Sequence, residues 1–110
     1  MTLPSSDITV RHLGLGLYPI RVEWGPEHDR DLYESGVVGD SDLEHGLIRV
    51  RSDLQRMRAS EVVLHELLHH VLHKTHLAAR WDDDEQEEVI RAISPWLVQA
   101  VSINNYDDWI

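Results

Sequence analysis

The residues with the clearest chemical potential are His65, Glu66 and His69, which form the string His-Glu-Leu-Leu-His. Residues four apart stand one above the other on a helix, so both imidazoles can reach a single ion. Glu66 would then lie about 100° around the helix from His65 and about 60° from His69. Zinc held by three protein groups keeps a fourth position for water, whose proton an adjacent carboxylate can accept. The pattern therefore predicts zinc bound by His65 and His69, with Glu66 as the general base of a hydrolysis.

The apolar surroundings of this string strengthen the metal interpretation. The string lies in a run otherwise made largely of Val and Leu, where two imidazoles and a carboxylate without a common partner would cost several kcal/mol. Zinc suits such donors best, although cobalt, nickel or iron(II) also bind them. Helical spacing also relates His69 to His73 and His73 to His76, but no glutamate lies between His69 and His73.

A third protein ligand must come from another element of the fold. The segment that follows the string offers Glu85, Glu87 and Glu88. Glu87 is followed by Ile90 and Ser94 at helical spacing, so an inward-facing stripe can begin from it. We favour Glu87, with Glu88 and then Glu85 as alternatives. All three could instead be solvated acids near the positive end of a helix dipole.

The elements that precede the string show strand patterns. Apolar residues alternate over residues 8–24 and again over 46–51, which predicts two short strands and then one more. Residues 25–46 are rich in glycine and acids, and we predict a surface loop there. Residues 52–55 have the spacing of a capping box, which predicts a short helical turn.

Two helices are predicted in the second half of the chain. Apolar residues recur at three and four positions from Ser60 to about Thr75, with Ser60 as the N-cap. A second helix begins in the acidic run of residues 82–85, which suits the helix dipole. Within this second helix, either Pro95 introduces a kink or Ser94 caps a new helix.

Composition limits the fold and the function. We expect one α+β domain over residues 1–110, with a small N-terminal sheet packed on the HELLH helix and a C-terminal helix completing the site. The absence of cysteine excludes disulfides and thiolate chemistry, and a net charge of −10 argues against binding a phosphate backbone. No signal peptide or membrane-spanning run is evident, so we expect a cytoplasmic protein with no membrane partner.

Residues 30–105 resemble small HExxH metallopeptidase-like proteins of bacteria and their phages, which are related to the ImmA/IrrE group and more distantly to thermolysin-type gluzincins. The matching segments are GLIRVR, RASEVVLHELLHHVLH and EQEEVIRAISPWL. In such proteins a glutamate on the helix after the HExxH helix completes the zinc site, which implies Glu87, eighteen positions after His69. The resemblance also implies a protein or peptide substrate and, for a phage-encoded protein, a location in the host cytoplasm.

Two features depart from the pattern of those families. Thermolysin-type enzymes have an aspartate four positions after the ligand glutamate, where this chain has Arg91. The group that orients a ligand imidazole is therefore unassigned. The residue that would stabilise a tetrahedral oxyanion also stays open among Tyr33, His73 and His76.

The remaining histidines and the tryptophans are predicted to have structural positions. We expect His70 to be a surface or partly buried residue of the helix, and His12, His28 and His45 to lie at the surface. Four tryptophans are predicted to anchor the core or an interface: Trp24, Trp81, Trp96 and Trp109.

The sequence also allows two functions without catalysis. In the first, zinc stabilises a binding protein that cleaves nothing, because a chain of this length has little surface for a deep substrate cleft. In the second, the chain is an acidic mimic of nucleic acid that binds a basic partner. Binding by such a mimic would depend on salt but not on zinc.

Overall fold

The computed structural model describes residues 8–13 and 19–103, with the backbone alone for 101–103. Within these described residues the chain forms four strands, three α-helices and a short 3₁₀ helix, which confirms the predicted α+β fold. These are β1 (Thr9–Leu13), β2 (Ile20–Trp24), α1 (Pro26–Ser35), β3 (Gly39–Asp42), β4 (Leu47–Val50), α2 (Arg56–Lys74), the 3₁₀ helix (Leu77–Arg80) and α3 (Asp83–Ile103).

The four strands form one mixed sheet in the order β1-β2-β4-β3. β2 pairs with β4 in parallel, whereas the pairs β1/β2 and β3/β4 are antiparallel. A parallel pair needs a crossover connection, and here α1 and β3 lie between β2 and β4 in the chain. The strands predicted within residues 8–24 and 46–51 are confirmed, and β1 and β3 form the two edges of the sheet.

The core lies between one face of the sheet and α2. Alternate residues of a strand share a face, and four inward residues of β2 and β4 are at most 2% exposed: Ile20, Val22, Ile48 and Val50. α2 covers them with residues spaced three and four apart, and the same spacing continues along its buried face to Glu66 and His70. The buried apolar residues of this core are Ile20, Val22, Ile48, Val50, Ala59, Val62 and Val63.

The prediction of a surface loop over residues 25–46 is wrong, because α1 and β3 occupy most of it. Pro26 stands at the start of α1, where its fixed φ and missing N–H suit a first helical turn. Gly36 ends α1 in the left-handed conformation, with φ 71°. Leu32 is the one buried residue of this helix, so the apolar periodicity that would predict it is absent.

The start of α2 also differs from the prediction. The helix begins at Arg56, and Ser60 is a buried residue inside it rather than its N-cap. Gln55 is the N-cap, with an extended backbone. The short helical turn predicted before Arg58 is not a separate element: residues 52–54 form a turn and a bend, and α2 itself begins at Arg56.

α3 begins in the predicted acidic run and continues through Pro95. The side chain of Asp82 accepts a hydrogen bond from the N–H of Glu85 at 2.7 Å and so satisfies a free donor of the first turn. Ser94 does not begin a new helix. Its hydroxyl donates to the carbonyl oxygen of Ile90 at 2.6 Å, within one continuous helix. Neither α3 nor any other helix in the described ranges has the length and hydropathy needed to cross a membrane.

Candidate metal centre and cleft

α2 presents the HELLH string to two different neighbours. Glu66 and His70 continue the face that packs on the sheet, whereas His65 and His69 lie toward α3. The imidazole rings of His65 and His69 are 5.1 Å apart between centroids, as expected for residues one helical turn apart. α2 thus directs the two imidazoles of His65 and His69 toward α3 and the carboxylate of Glu66 toward the sheet.

Glu87 of α3 meets both imidazoles. Its Oε1 lies 2.6 Å from Nε2 of His69, and its Oε2 lies 3.2 Å from Nε2 of His65. Donor atoms about 2.0–2.1 Å from a tetrahedral zinc ion are about 3.3 Å from one another. The contact with His65 has that spacing, whereas the contact with His69 has the length of a direct hydrogen bond. The structure therefore brings His65, His69 and Glu87 together, as the sequence predicts.

Glu66 is a second carboxylate near the same imidazoles. One donor atom from each of His65, Glu66 and His69 lies within 4.8 Å of the others. The two carboxylates differ in their contacts, because Glu87 touches both imidazoles directly while Glu66 accepts a hydrogen bond from the hydroxyl of Ser41 at 3.4 Å. The geometry thus favours Glu87 as the third donor, with Glu66 beside the set.

The two alternative third donors lie elsewhere on α3. The side chains of Glu85 and Glu88 are exposed. Among the described contacts, neither of them reaches His65 or His69.

Gln86 orients His69, a role that the sequence analysis left unassigned. The amide oxygen of Gln86 lies 2.6 Å from Nδ1 of His69, and the Gln86 residue is 9% exposed. A neutral imidazole carries one N–H, yet both ring nitrogens of His69 face an oxygen, one from Gln86 and one from Glu87. With Nδ1–H donating to Gln86, the lone pair of Nε2 faces the carboxylate of Glu87, and a cation between them would replace this repulsion with two favourable contacts. The donors present therefore fit a cation between His69 and Glu87.

Arg91 occupies the position of the expected aspartate and contacts the third donor instead of an imidazole. Its Nε lies 3.5 Å from Oε2 of Glu87, one helical turn earlier on α3. Arg91 is thus a cationic neighbour of the site.

The electrostatics of the site follow from its partial burial. Burial raises the pKa of Glu66 above its usual value. Burial also lowers the pKa of His65, since it disfavours the charged imidazole. For Glu87, burial acts to raise the pKa, but the neighbouring His65 and His69 hold it below its ordinary value. Glu87 is therefore the better permanent anion, and Glu66 is the carboxyl group that takes up a proton more easily.

The site opens into a cleft of about 460 Å³. One wall is the segment that leads from α1 into the edge strand β3, and the other walls come from the N-terminal half of α2 and from α3. The residues that line the cleft are Gly36, Val37, Val38, Gly39, Arg58, Glu61, Val62, His65, Glu66, Glu87 and Arg91.

The three candidates for stabilising an oxyanion do not line this cleft. The hydroxyl of Tyr33 is engaged with Arg51 and Asp53. His73 lines a separate cavity beside β3 and β4, and His76 is exposed at the end of α2. Arg58 and Arg91 are the described cations of the cleft.

Two predictions for structural histidines are wrong. His70 is fully buried rather than exposed or partly buried, and its Nε2 lies 3.3 Å from the carbonyl oxygen of Leu47 on β4. His28 is largely buried, with Nε2 2.8 Å from Oε1 of Glu23. His12 and His45 are exposed, as predicted. His70 therefore ties the middle of α2 to the sheet, next to the metal-binding candidates.

The tryptophans take different positions. Trp24 packs against the core, as predicted. Trp96 is 73% exposed on α3 and is not a core anchor. Trp81 is half-buried, and Trp109 lies outside the described residues.

Comparison with known protein families, with curated proteins and with solved structures found no match to this chain. The resemblance to ImmA/IrrE-like proteins therefore stays a prediction.

Proposed function

We propose that this protein is a zinc-dependent metallopeptidase-like enzyme that hydrolyses a peptide bond in a protein or peptide substrate. The observation that supports the proposal is the contact of one carboxylate, Glu87, with Nε2 of both His65 and His69, beside Glu66 and at the wall of a cleft. Two imidazoles and one carboxylate are a common ligand set of catalytic zinc, with one position left open.

In this proposal, three residues bind the metal and a fourth, Glu66, transfers the proton. A zinc ion held by His65, His69 and Glu87 would act as a Lewis acid on the reacting groups. Glu66 accepts a proton from the attacking water and returns it to the nitrogen of the leaving amine. Ser41 holds Oε1 of Glu66 through its hydroxyl. The raised pKa of Glu66, caused by its burial, favours the uptake of a proton by this carboxylate.

A set of three glutamate variants tests this proposal. Glu66→Gln should keep stoichiometric zinc and lose hydrolysis of fluorescein-labelled casein. Glu87→Gln should lose zinc, because an amide replaces the anionic donor. Glu88→Gln is the matched control, since it removes an exposed carboxylate of the same helix and should change neither zinc content nor cleavage. The proposal is wrong if the Glu66→Gln protein cleaves casein as well as the parent, or if the parent holds no stoichiometric ion.

A second function is favoured by the position of the site between two helices. Glu87 bridges α3 to α2, so an ion there would also hold α3 in place, as in a zinc-stabilised binding protein without catalysis. That protein would bind zinc and stay inactive on every peptide. The cytoplasmic location and the bacterial or phage origin expected from the sequence remain parts of both proposals.

A further inference from the structure

Two arginines line the cleft of an otherwise acidic protein. The chain has twenty acidic and ten basic residues, yet Arg58 of α2 and Arg91 of α3 both face the cavity that contains His65, Glu66 and Glu87. Two cations from different helices on one cleft favour a ligand of opposite, negative charge.

The two arginines lie at useful distances from the proposed metal centre. Arg58 precedes His65 by seven residues, about 10 Å along the axis of α2. Arg91 follows Glu87 by one turn, about 6 Å along α3. An extended peptide advances about 3.3 Å per residue. Along their helices, the backbone positions of both arginines therefore lie within about three peptide residues of the centre.

Both side chains are accessible to a ligand. Arg58 is half exposed, and so is its ion pair with Glu61 at 2.8 Å. Because exposed ion pairs contribute little, the carboxylate of a ligand can replace Glu61 as the partner of Arg58 at little cost. The side chain of Arg91 is 76% exposed and contacts Glu87 at 3.5 Å. With a divalent ion bound, the positive charge in the cleft comes from the ion, Arg58 and Arg91. It exceeds the negative charge of the three carboxylates, which belong to Glu61, Glu66 and Glu87. The cleft then becomes a positive region on a negative protein.

We propose that Arg58 and Arg91 bind a carboxylate of the substrate peptide, within about three residues of the bond that is cleaved. A guanidinium group matches a carboxylate through paired N–H donors, which gives both affinity and orientation. The carboxylate belongs either to an acidic side chain or to the C-terminus of the peptide. This inference rests on the proposed function, because the position of the cleaved bond is defined by the metal centre.

The test measures binding rather than cleavage. Fluorescein-labelled alanine-based heptapeptides carry Glu, Gln or Lys at one position, scanned along the chain, and end in an amide. A fourth set carries Gln and ends in a free carboxylate. The zinc-loaded Glu66→Gln protein binds them without turnover, and fluorescence anisotropy gives Kd. We expect the best Glu peptide to bind about tenfold more tightly than its Gln counterpart, or the free-acid Gln peptide to do so if the terminus is recognised.

Variants of the two arginines assign the preference. Arg91→Gln and Arg58→Gln should each remove most of the tenfold difference, and Arg91→Lys should restore part of it. Arg80→Gln, an exposed arginine outside the lining of the cleft, is the control and should preserve the difference. Zinc content is measured for every variant, so that a loss of metal through Glu87 is recognised separately.

The inference is overturned if no peptide binds, if the Glu, Gln and Lys peptides and the free-acid Gln peptide all bind equally, or if both arginine variants keep the preference. Failure of the proposed function gives a different result. In that case the parent protein cleaves no casein, whatever its peptide preference, whereas failure of this inference alone leaves cleavage intact and the carboxylate preference absent.

Discussion

The amide oxygen of Gln86 accepts a hydrogen bond from Nδ1–H of His69 across the interface between α3 and α2, at 2.6 Å. The next residue of α3, Glu87, contacts the opposite nitrogen of the same ring. Two consecutive side chains of one helix therefore fix the plane of an imidazole on another. A residue that hydrogen-bonds one nitrogen of an imidazole determines that the other nitrogen is available to a metal and fixes the direction of the lone pair on that nitrogen.

Replacing Gln86 with Ala should weaken zinc binding without removing a ligand. The ring of His69 would lose the group that orients it, and losses of this type reduce metal affinity by about 10- to 100-fold. Competition with a chromophoric chelator measures the affinity. Gln86→Glu restores an oxygen at the same place and should recover most of it. An affinity within twofold of the parent for Gln86→Ala would show that Gln86 does not hold the ring.

Much of the site was predictable because it depends on local helical geometry. The spacing of His65, Glu66 and His69 determines that two imidazoles share a side of the helix and that the carboxylate stands beside them. Glu87 could also be predicted as the third donor, because Ile90 and Ser94 follow it at helical spacing on the same face of α3. Both residues are buried in the structure. Periodicity carries this information whenever one face of a helix is packed.

Other parts were not predictable because they depend on tertiary contacts. β3 has the sequence GDSD, without apolar alternation, and it forms because its backbone pairs with β4, where Asp40 lies opposite Arg49. Gln86 gives no signal of its own, since a glutamine on a helix is usually solvated. The best available signal was its place next to a candidate ligand on the same helix.

Substitution of Gly39 should destabilise the protein through close packing. An added Cβ would lie 2.5 Å from Cγ1 of Val62 and 2.9 Å from the carbonyl oxygen of Arg49, so β3 would have to move away from α2. We expect Gly39→Ala to cost about 1–3 kcal/mol of the free energy of unfolding, measured by urea denaturation. Val62→Ala should relieve only part of this cost, because the contact with the backbone of Arg49 remains.

Gly36→Ala is a control with a different physical cause. Nothing lies within 4 Å of its added Cβ, but φ is +71°, so the cost is backbone strain of about 1 kcal/mol. Val62→Ala should not relieve that cost at all. Equal rescue of both glycine variants would contradict the packing explanation.

The cluster of Tyr33, Arg51 and Asp53 should contribute stability that depends on acid pH. Hydrogen bonds from Arg51 and Tyr33 lower the pKa of Asp53 from 3.8 to about 2. Because the unfolded chain binds this proton more readily, the contribution is complete above about pH 4 and is lost as the pH falls toward 2. Asp53→Asn should therefore flatten the stability profile between pH 4 and 2, measured by urea denaturation at each pH. The paired variant Asp84→Asn removes an exposed acid outside the cluster and shows the effect of the change in net charge alone.

The same cluster also predicts a change in the titration of Tyr33 at alkaline pH. The hydrogen bond with Asp53 is the main cause that raises the pKa of Tyr33. In the Asp53→Asn protein this pKa should fall toward its usual value, which ultraviolet titration of the phenolate reports. An unchanged Tyr33 pKa would show that the two side chains do not interact in solution.

Removal of zinc should destabilise the protein but leave it folded. Ile90 and Val98 bury the inner face of α3 without help from the site, so α3 should keep its place when EDTA takes the metal. Free zinc at about 100 times Kd contributes about 2.7 kcal/mol, and EDTA should thus lower Tm by roughly 10 °C or more with little change in far-ultraviolet circular dichroism. Ile90→Ala weakens the independent packing and should make the helical signal depend on zinc. If EDTA unfolds the parent protein at 25 °C, the ion is holding the fold together, and the zinc-stabilised binding protein becomes the better account of the site.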